Sequence, residues 1–196
     1  MSEVLSTFRL NQGDQAPDFQ LPDADGAEHS LGGILGQNGL LVAFVCNHCP
    51  FVLHVADAFG ALADELAADG VNTVAIVSND LEKYPQDGPG PMKEFAAAHG
   101  WKFPYLIDES QDVALAYGAA CTPDFFLFGA DGRLFYTGQF DDSRPNSGEE
   151  AHGGDLREAA RRMMAGEGPL ARPYPSSGCN IKWKEGKKPT WWNAGG

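Results

Sequence analysis

Cys46 and Cys49 stand three positions apart in Val45-Cys46-Asn47-His48-Cys49-Pro50. This spacing serves thiol–disulfide exchange, half of a metal site, or two inert buried thiols. Its placement favours the first. A buried strand ends just before it and an amphipathic helix starts just after it, and at a helix N-terminus the unpaired amides and the positive end of the dipole favour a thiolate. Cys46 is therefore expected to have a lowered pKa and to act as nucleophile. Cys49 is expected to resolve the mixed disulfide formed on Cys46. A protonated His48 would stabilise the thiolate further. A second element, Cys121-Thr122-Pro123, precedes another apolar strand. An X-Pro bond there can be cis, which would leave the preceding backbone free to pair with an extended substrate. Thr122 and Pro123 thus join the catalytic set. Cys121 and Cys179 are candidates for additional redox thiols, against the commoner fate of a free cysteine as a small buried side chain.

These residues need a scaffold, and hydrophobic patterning supplies one. Leu40 to Val45 is a continuous apolar run suited to a strand buried on both faces. Val52, Val55, Phe59, Leu62 and Leu66 then recur at helical spacing, and Gly70 stops the helix. Val71 to Val77 reads as a second buried strand. A Pro- and Gly-rich loop leads to a helix from Met92 to Ala98, a short strand from Phe103 to Ile107, and a helical turn from Gln111 to Tyr117. Phe125 to Phe128 and Leu134 to Thr137 flank Asp131-Gly132 as a hairpin, and Leu156 to Met164 is the last helix. Alternating strands and helices followed by a hairpin give an α/β fold with a mixed central β-sheet flanked by helices. One domain is expected over residues 1–167, including an N-terminal extension. Residues 168–196 form an irregular C-terminal tail, basic and Trp-bearing, that folds back on or near it.

The chain has 196 residues, 43% of them hydrophobic, and a formal net charge of −13. Such an acidic body lacks the clustered Lys and Arg that neutralise phosphates, so nucleic acid is not expected as a partner. No apolar run has the length of a signal peptide or a membrane span, which points to a cytoplasmic protein without a membrane partner. No glycine-rich phosphate loop is present and no cofactor is expected. His29, His54, His99 and His152 have no ligand spacing. Asp141, Asp142 and Arg144 are expected to build a local turn and ion pair.

The segments Gly13 to Leu21 (GDQAPDFQL), Phe44 to Val52 (FVCNHCPFV) and Gly118 to Phe128 (GAACTPDFFLF), with Asp131-Gly132, resemble the redoxin superfamily. That superfamily joins thioredoxin-like proteins with the AhpC/TSA peroxiredoxins. The similarity runs over residues 10–166 and is greatest to its peroxiredoxin-like thioredoxin family proteins, of which Asp141 to Pro145 and Gly178 to Trp183 look like hallmarks. The resemblance implies a thioredoxin-like fold in which the Thr122-Pro123 loop faces the cysteine pair, so that Cys121 would be a near neighbour of Cys46. It also implies that Cys46 matches the peroxidatic cysteine of peroxiredoxins. Their peroxide-holding Thr is replaced here by Ala43, and their Arg has no evident counterpart, since Arg133 and Arg144 lie further on. Positioning is a large part of peroxide chemistry. Dithiol exchange with a protein or small-molecule thiol or disulfide, recharged by a cellular thiol reductant, therefore ranks first. A peroxiredoxin-like antioxidant activity at Cys46 ranks second. Third is a metal-binding module in which Cys46, Cys49 and Cys121, with His48 or Cys179, hold zinc or copper.

Overall fold

The computed structural model describes residues 3–193. In chain order the elements are β1 (Glu3–Leu5), β2 (Gln20–Pro22), β3 (Glu28–Ser30), α1 (Leu31–Ile34), β4 (Gly39–Phe44), α2 (Pro50–Ala68) and β5 (Val71–Val77). They continue with α3 (Pro89–Ala98), β6 (Tyr105–Ile107), α4 (Asp112–Tyr117), β7 (Cys121–Thr122), β8 (Asp124–Gly129), β9 (Leu134–Gly138), α5 (Gly154–Met164) and β10 (Ser177–Asn180).

The central sheet has five strands in the order β6-β5-β4-β8-β9. β4 and β5 pair in parallel, as do β5 and β6, whereas β8 runs antiparallel to β4 and to β9, so the sheet is mixed. Alternation along β4 divides the core. Leu41 and Ala43, followed by Val45, pack with Val52, Phe59 and Leu62 of α2 and Leu156 of α5. Leu40, Val42 and Phe44 point the other way, against Tyr117, Phe126 and Phe128. Burial on both faces explains why β4 reads as an unbroken apolar run. The expected helix at residue 52 begins at Pro50, where the fixed φ of proline suits the first helical position.

Three short strands escape periodicity altogether. β1, β10 and β7 form a separate antiparallel sheet, with β10 in the middle. Within the otherwise irregular C-terminal segment, β10 is thus anchored on both edges, and Ile181 and Trp183 beyond it pack onto the second face of the core. Among the described residues, no helix is long and apolar enough to cross a membrane.

Candidate active site

β4 delivers the chain to the site and α2 leads it away. Cys49 is the N-cap of α2, in an extended conformation with φ −77° and ψ 123°, and Cys46 lies three residues earlier in the connecting loop. The sequence placed Cys46 at the helix terminus, but Pro50 sets the first helical position and moves the terminus to Cys49. Both thiols are closed off, Cys46 at 1% and Cys49 at 0% exposure.

Thr122 bridges the pair. The Thr122–Pro123 peptide is cis. The Thr122 hydroxyl lies 3.4 Å from Cys46 Sγ, and its carbonyl accepts from Cys49 Sγ at 3.1 Å. A hydroxyl that Ala43 cannot offer thus reaches Cys46 from a different strand. Among the described residues, no arginine hydrogen-bonds at Cys46; Arg144 donates instead to the Asp141 and Ser143 carbonyls and to Gln139 Oε1. Asp141 accepts from the amides of Ser143, His152 and Gly153, so the expected turn forms without an Asp–Arg ion pair.

The backbone of Thr122 is not free for an extended substrate, contrary to the sequence expectation. β10 already pairs there, with Cys179 opposite Thr122 and Asn180 opposite Cys121. Paired residues share a face of a sheet and successive residues alternate, so Cys179 lies on the Thr122 side, toward the cysteine pair, and Cys121 on the other. The Cys121 thiol turns to the Pro123 carbonyl at 3.5 Å, and burial pushes its pKa up. The place beside the cysteine pair expected of Cys121 is therefore taken by Cys179, which shares one buried cluster with Cys46 and Cys49.

Cys49 shares one buried cluster with Cys46 and Cys179. The neighbouring thiols of Cys179 and then Cys46 pull Cys49 below an ordinary thiol, against the effect of burial. Reciprocally, Cys46 is pushed up by its contact with Cys49, by burial and by the charge of Asp87. The sequence assigned the low pKa to Cys46. It falls on Cys49 because helix start and neighbouring thiols converge there.

Asp87 is the residue that sequence reasoning missed. It is fully buried and accepts from the Asn47 amide at 2.8 Å and from Asn79 Nδ2 at 2.9 Å. His48 Nδ1 lies 3.0 and 2.9 Å from its two oxygens. The His48 ring stacks on Tyr84, and its Nε2 is buried without a partner among the described residues. The one sequence signal for Asp87 was an acid inside the Pro/Gly-rich loop. The metal set Cys46, Cys49 and Cys121 is not assembled around one point. The groups that do converge, within 4.8 Å of one another, are Cys46, His48 and Asp87.

Asp124, just beyond Pro123, is wholly buried beneath the same loop. Burial pushes its carboxyl up to about 7, although the Ser6 hydroxyl and the Ala120 amide donate to one oxygen at 2.9 and 3.2 Å. A carboxyl raised in the folded state contributes stability below its unfolded value, near 3.9, and loses it as pH rises through about 7. Asp124→Asn is accordingly expected to gain on the parent by roughly 3 kcal/mol between pH 4 and pH 8. Denaturant titrations at both pH values check this; an equal difference at the two would show that Asp124 does not titrate as described.

A buried dithiol at a strand–helix junction, facing a cis-proline loop on a mixed sheet, defines a thiol-dependent oxidoreductase of thioredoxin-like fold. The model of the redoxin family, described as "Redoxin", matches residues 11–152, and the chain belongs to that family. A crystal structure of an uncharacterized conserved protein from Geobacillus kaustophilus superposes with a TM-score of 0.90 at 45% identity, covering 94% of this chain and 98% of that one. The peroxiredoxin Bcp of Escherichia coli K12 is 28% identical over 150 residues, 70% of this chain and 90% of Bcp. The thiol-disulfide oxidoreductase ResA of Bacillus anthracis is 25% identical over 126 residues, 64% of this chain and 68% of ResA. Both named relatives are redox enzymes, one from each side of the family.

Proposed function

We propose that the protein exchanges thiols and disulfides through Cys46 and Cys49, with Cys46 as the attacking thiol. The observation that carries this reading is Thr122 spanning the pair, its hydroxyl on Cys46 and its carbonyl on Cys49. Cys49 is held beneath the backbone of β7, whereas Cys46 adjoins Asn47 and His48, which reach the surface. Cys46 attacks a substrate disulfide, its proton passing to the first substrate sulfur, which leaves as a thiol. Cys49, an S–H donor to the Thr122 carbonyl, then attacks Cys46 Sγ and gives its proton to the second substrate sulfur. The Cys46–Cys49 disulfide forms and the second substrate thiol is released. His48, fixed by Asp87, stands beside Cys46, with its ring nitrogen, the Asp87 carboxylate and Cys46 Sγ within 4.8 Å of one another.

Because β10 occupies the edge at Thr122, substrate does not enter by strand pairing there. It approaches from the side of Asn47 and His48, the half-buried residues that follow Cys46. Both small-molecule and protein disulfides fit that description, and a cytoplasmic thiol reductant would return the pair to dithiol. The Thr122 hydroxyl beside Cys46 supports a second reading, peroxide reduction, because it offers at the thiol the hydroxyl that Ala43 lacks. Stopped-flow rates of Cys46 oxidation by hydrogen peroxide and by a small disulfide separate the two. The expected peroxide rate is that of an ordinary protein thiol, with the disulfide reacting faster. A peroxide rate orders of magnitude above a free thiol would give the peroxidase first place.

A further inference from the structure

The tail strand β10 is built into the site too closely to be a cover. Its centre, Cys179, is 3% exposed and pairs with Thr122 on one side and Glu3 on the other. Thr122 Oγ1 lies 3.5 Å from the Cys179 carbonyl. A Cβ on Gly178 would overlap the Thr122 carbonyl oxygen and lie 2.7 Å from its carbon, so a glycine is needed for this approach. Further on, the Lys182 amide donates to Asn79 Oδ1 at 2.9 Å, and Asn79 Nδ2 donates to Asp87. The same segment that brings Cys179 to Cys49 therefore also holds the residue that orients His48.

We infer that Cys179 is a third redox thiol, which takes over the disulfide from Cys46. The inference rests on the exchange reading, because it starts from the Cys46–Cys49 disulfide which that reaction produces. Cys46 Sγ lies by the Thr122 hydroxyl, Cys49 Sγ lies by the Thr122 carbonyl, and Cys179 pairs opposite Thr122, so the three thiols share one buried cluster around that residue. Cys49 is the thiol that both of the others influence, which suits displacement at its sulfur. The Cys179 thiolate attacks Cys49 Sγ, the Cys49–Cys179 bond forms as the Cys46–Cys49 bond breaks, and the electron pair leaves on Cys46. The proton lost by Cys179 ends on Cys46. No further oxidant or reductant is consumed, since one disulfide has moved by one sulfur. The outcome is a Cys46 thiol restored to the substrate-facing position while the oxidising equivalent is stored between α2 and β10.

The test is mass mapping of disulfides in the full chain after diamide treatment and acid quench, on the parent, Cys46→Ser and Cys179→Ser. The parent is expected to hold both Cys46–Cys49 and Cys49–Cys179, the latter in about one molecule in ten or more, which corresponds to potentials within ~30 mV of each other. Cys46→Ser is expected to form Cys49–Cys179 as its main disulfide, and Cys179→Ser only Cys46–Cys49. Three free thiols in oxidised Cys46→Ser, with Cys46–Cys49 present in the parent, would overturn the relay and leave the exchange reading standing. So would a Cys49–Cys179 bond found in Cys46→Ser but never in the parent. If the parent forms no disulfide at Cys46, the exchange reading falls and the relay falls with it. Circular dichroism of Cys46→Ser, with Cys46→Ala as a second replacement, separates a misfolded variant from an unreactive pair.

Discussion

Cys46→Ser abolishes disulfide exchange, by about a thousandfold or more, while Cys49→Ser accumulates a mixed disulfide between Cys46 and substrate. The asymmetry follows from what each sulfur touches. Without Cys46 the remaining thiol of the pair is Cys49, which is fully buried and held on the Thr122 carbonyl. Without Cys49 the first attack still occurs, but the thiol that must displace the second half of the substrate is gone. Cys179 does not substitute, because pairing of β10 holds it opposite Thr122, and the thiol it influences is Cys49. Cys121 does not substitute either, because it lies on the opposite face of β7 from Thr122 and turns to the Pro123 carbonyl. The measurement is intact mass under non-reducing conditions after mixing with a small disulfide, with turnover followed alongside. A Cys49→Ser protein that turns over like the parent would show that another thiol reaches Cys46, and the order of roles would have to be redrawn.

Gly178→Ala destabilises the protein by about 3 kcal/mol, roughly 6–12 °C in Tm, and makes Cys179 alkylatable in the folded state. The atom the new methyl meets is a backbone carbonyl, with the Pro123 nitrogen at 3.2 Å behind it. A side chain could rotate away from such a clash, whereas a backbone in a paired strand can yield only if the strands part. β10 then lifts from β7, and the packing of Cys179 against Cys49 is lost with it. Thermal melts and timed alkylation of native protein measure the two effects. An unchanged Tm with Cys179 still protected would mean that β10 does not lie where it is described. This substitution also leaves every thiol in place, so a loss of the Cys49–Cys179 disulfide in it reports on the position of β10 and not on the chemistry of the cysteines.

The dyad of His48 and Asp87 has a structural consequence as well. Asp87 accepts from the Asn47 amide, and Tyr105 donates to Asn47 Oδ1 at 3.0 Å, so both residues between the two cysteines are held from beneath. These bonds hold the loop that sets Cys46 against Thr122. Its rigidity comes from a segment, Pro85–Asp87, that is some forty residues further along the chain.

By itself the sequence determined the elements whose stability is local or whose burial leaves a pattern. Leu40 to Val45 announces β4 because both of its faces are covered, and Val52, Val55, Phe59, Leu62 and Leu66 announce α2 because one helical face is. Asp131-Gly132 marks the β8–β9 turn, and the pair Cys46 and Cys49 marks the chemistry, since neither spacing nor placement depends on distant residues. Only the tertiary structure decided which thiol is the central one and what surrounds it. β7 has two residues and β10 has the sequence Ser-Gly-Cys-Asn, so neither carries a strand's propensity or period; β7 is a strand only because β10 pairs with it, and β10 because β7 and β1 do. Thr122 reaches Cys46 across 76 positions of chain and Asp87 reaches His48 across 39. Such contacts are settled by the packing of the whole sheet, to which no local window of sequence has access.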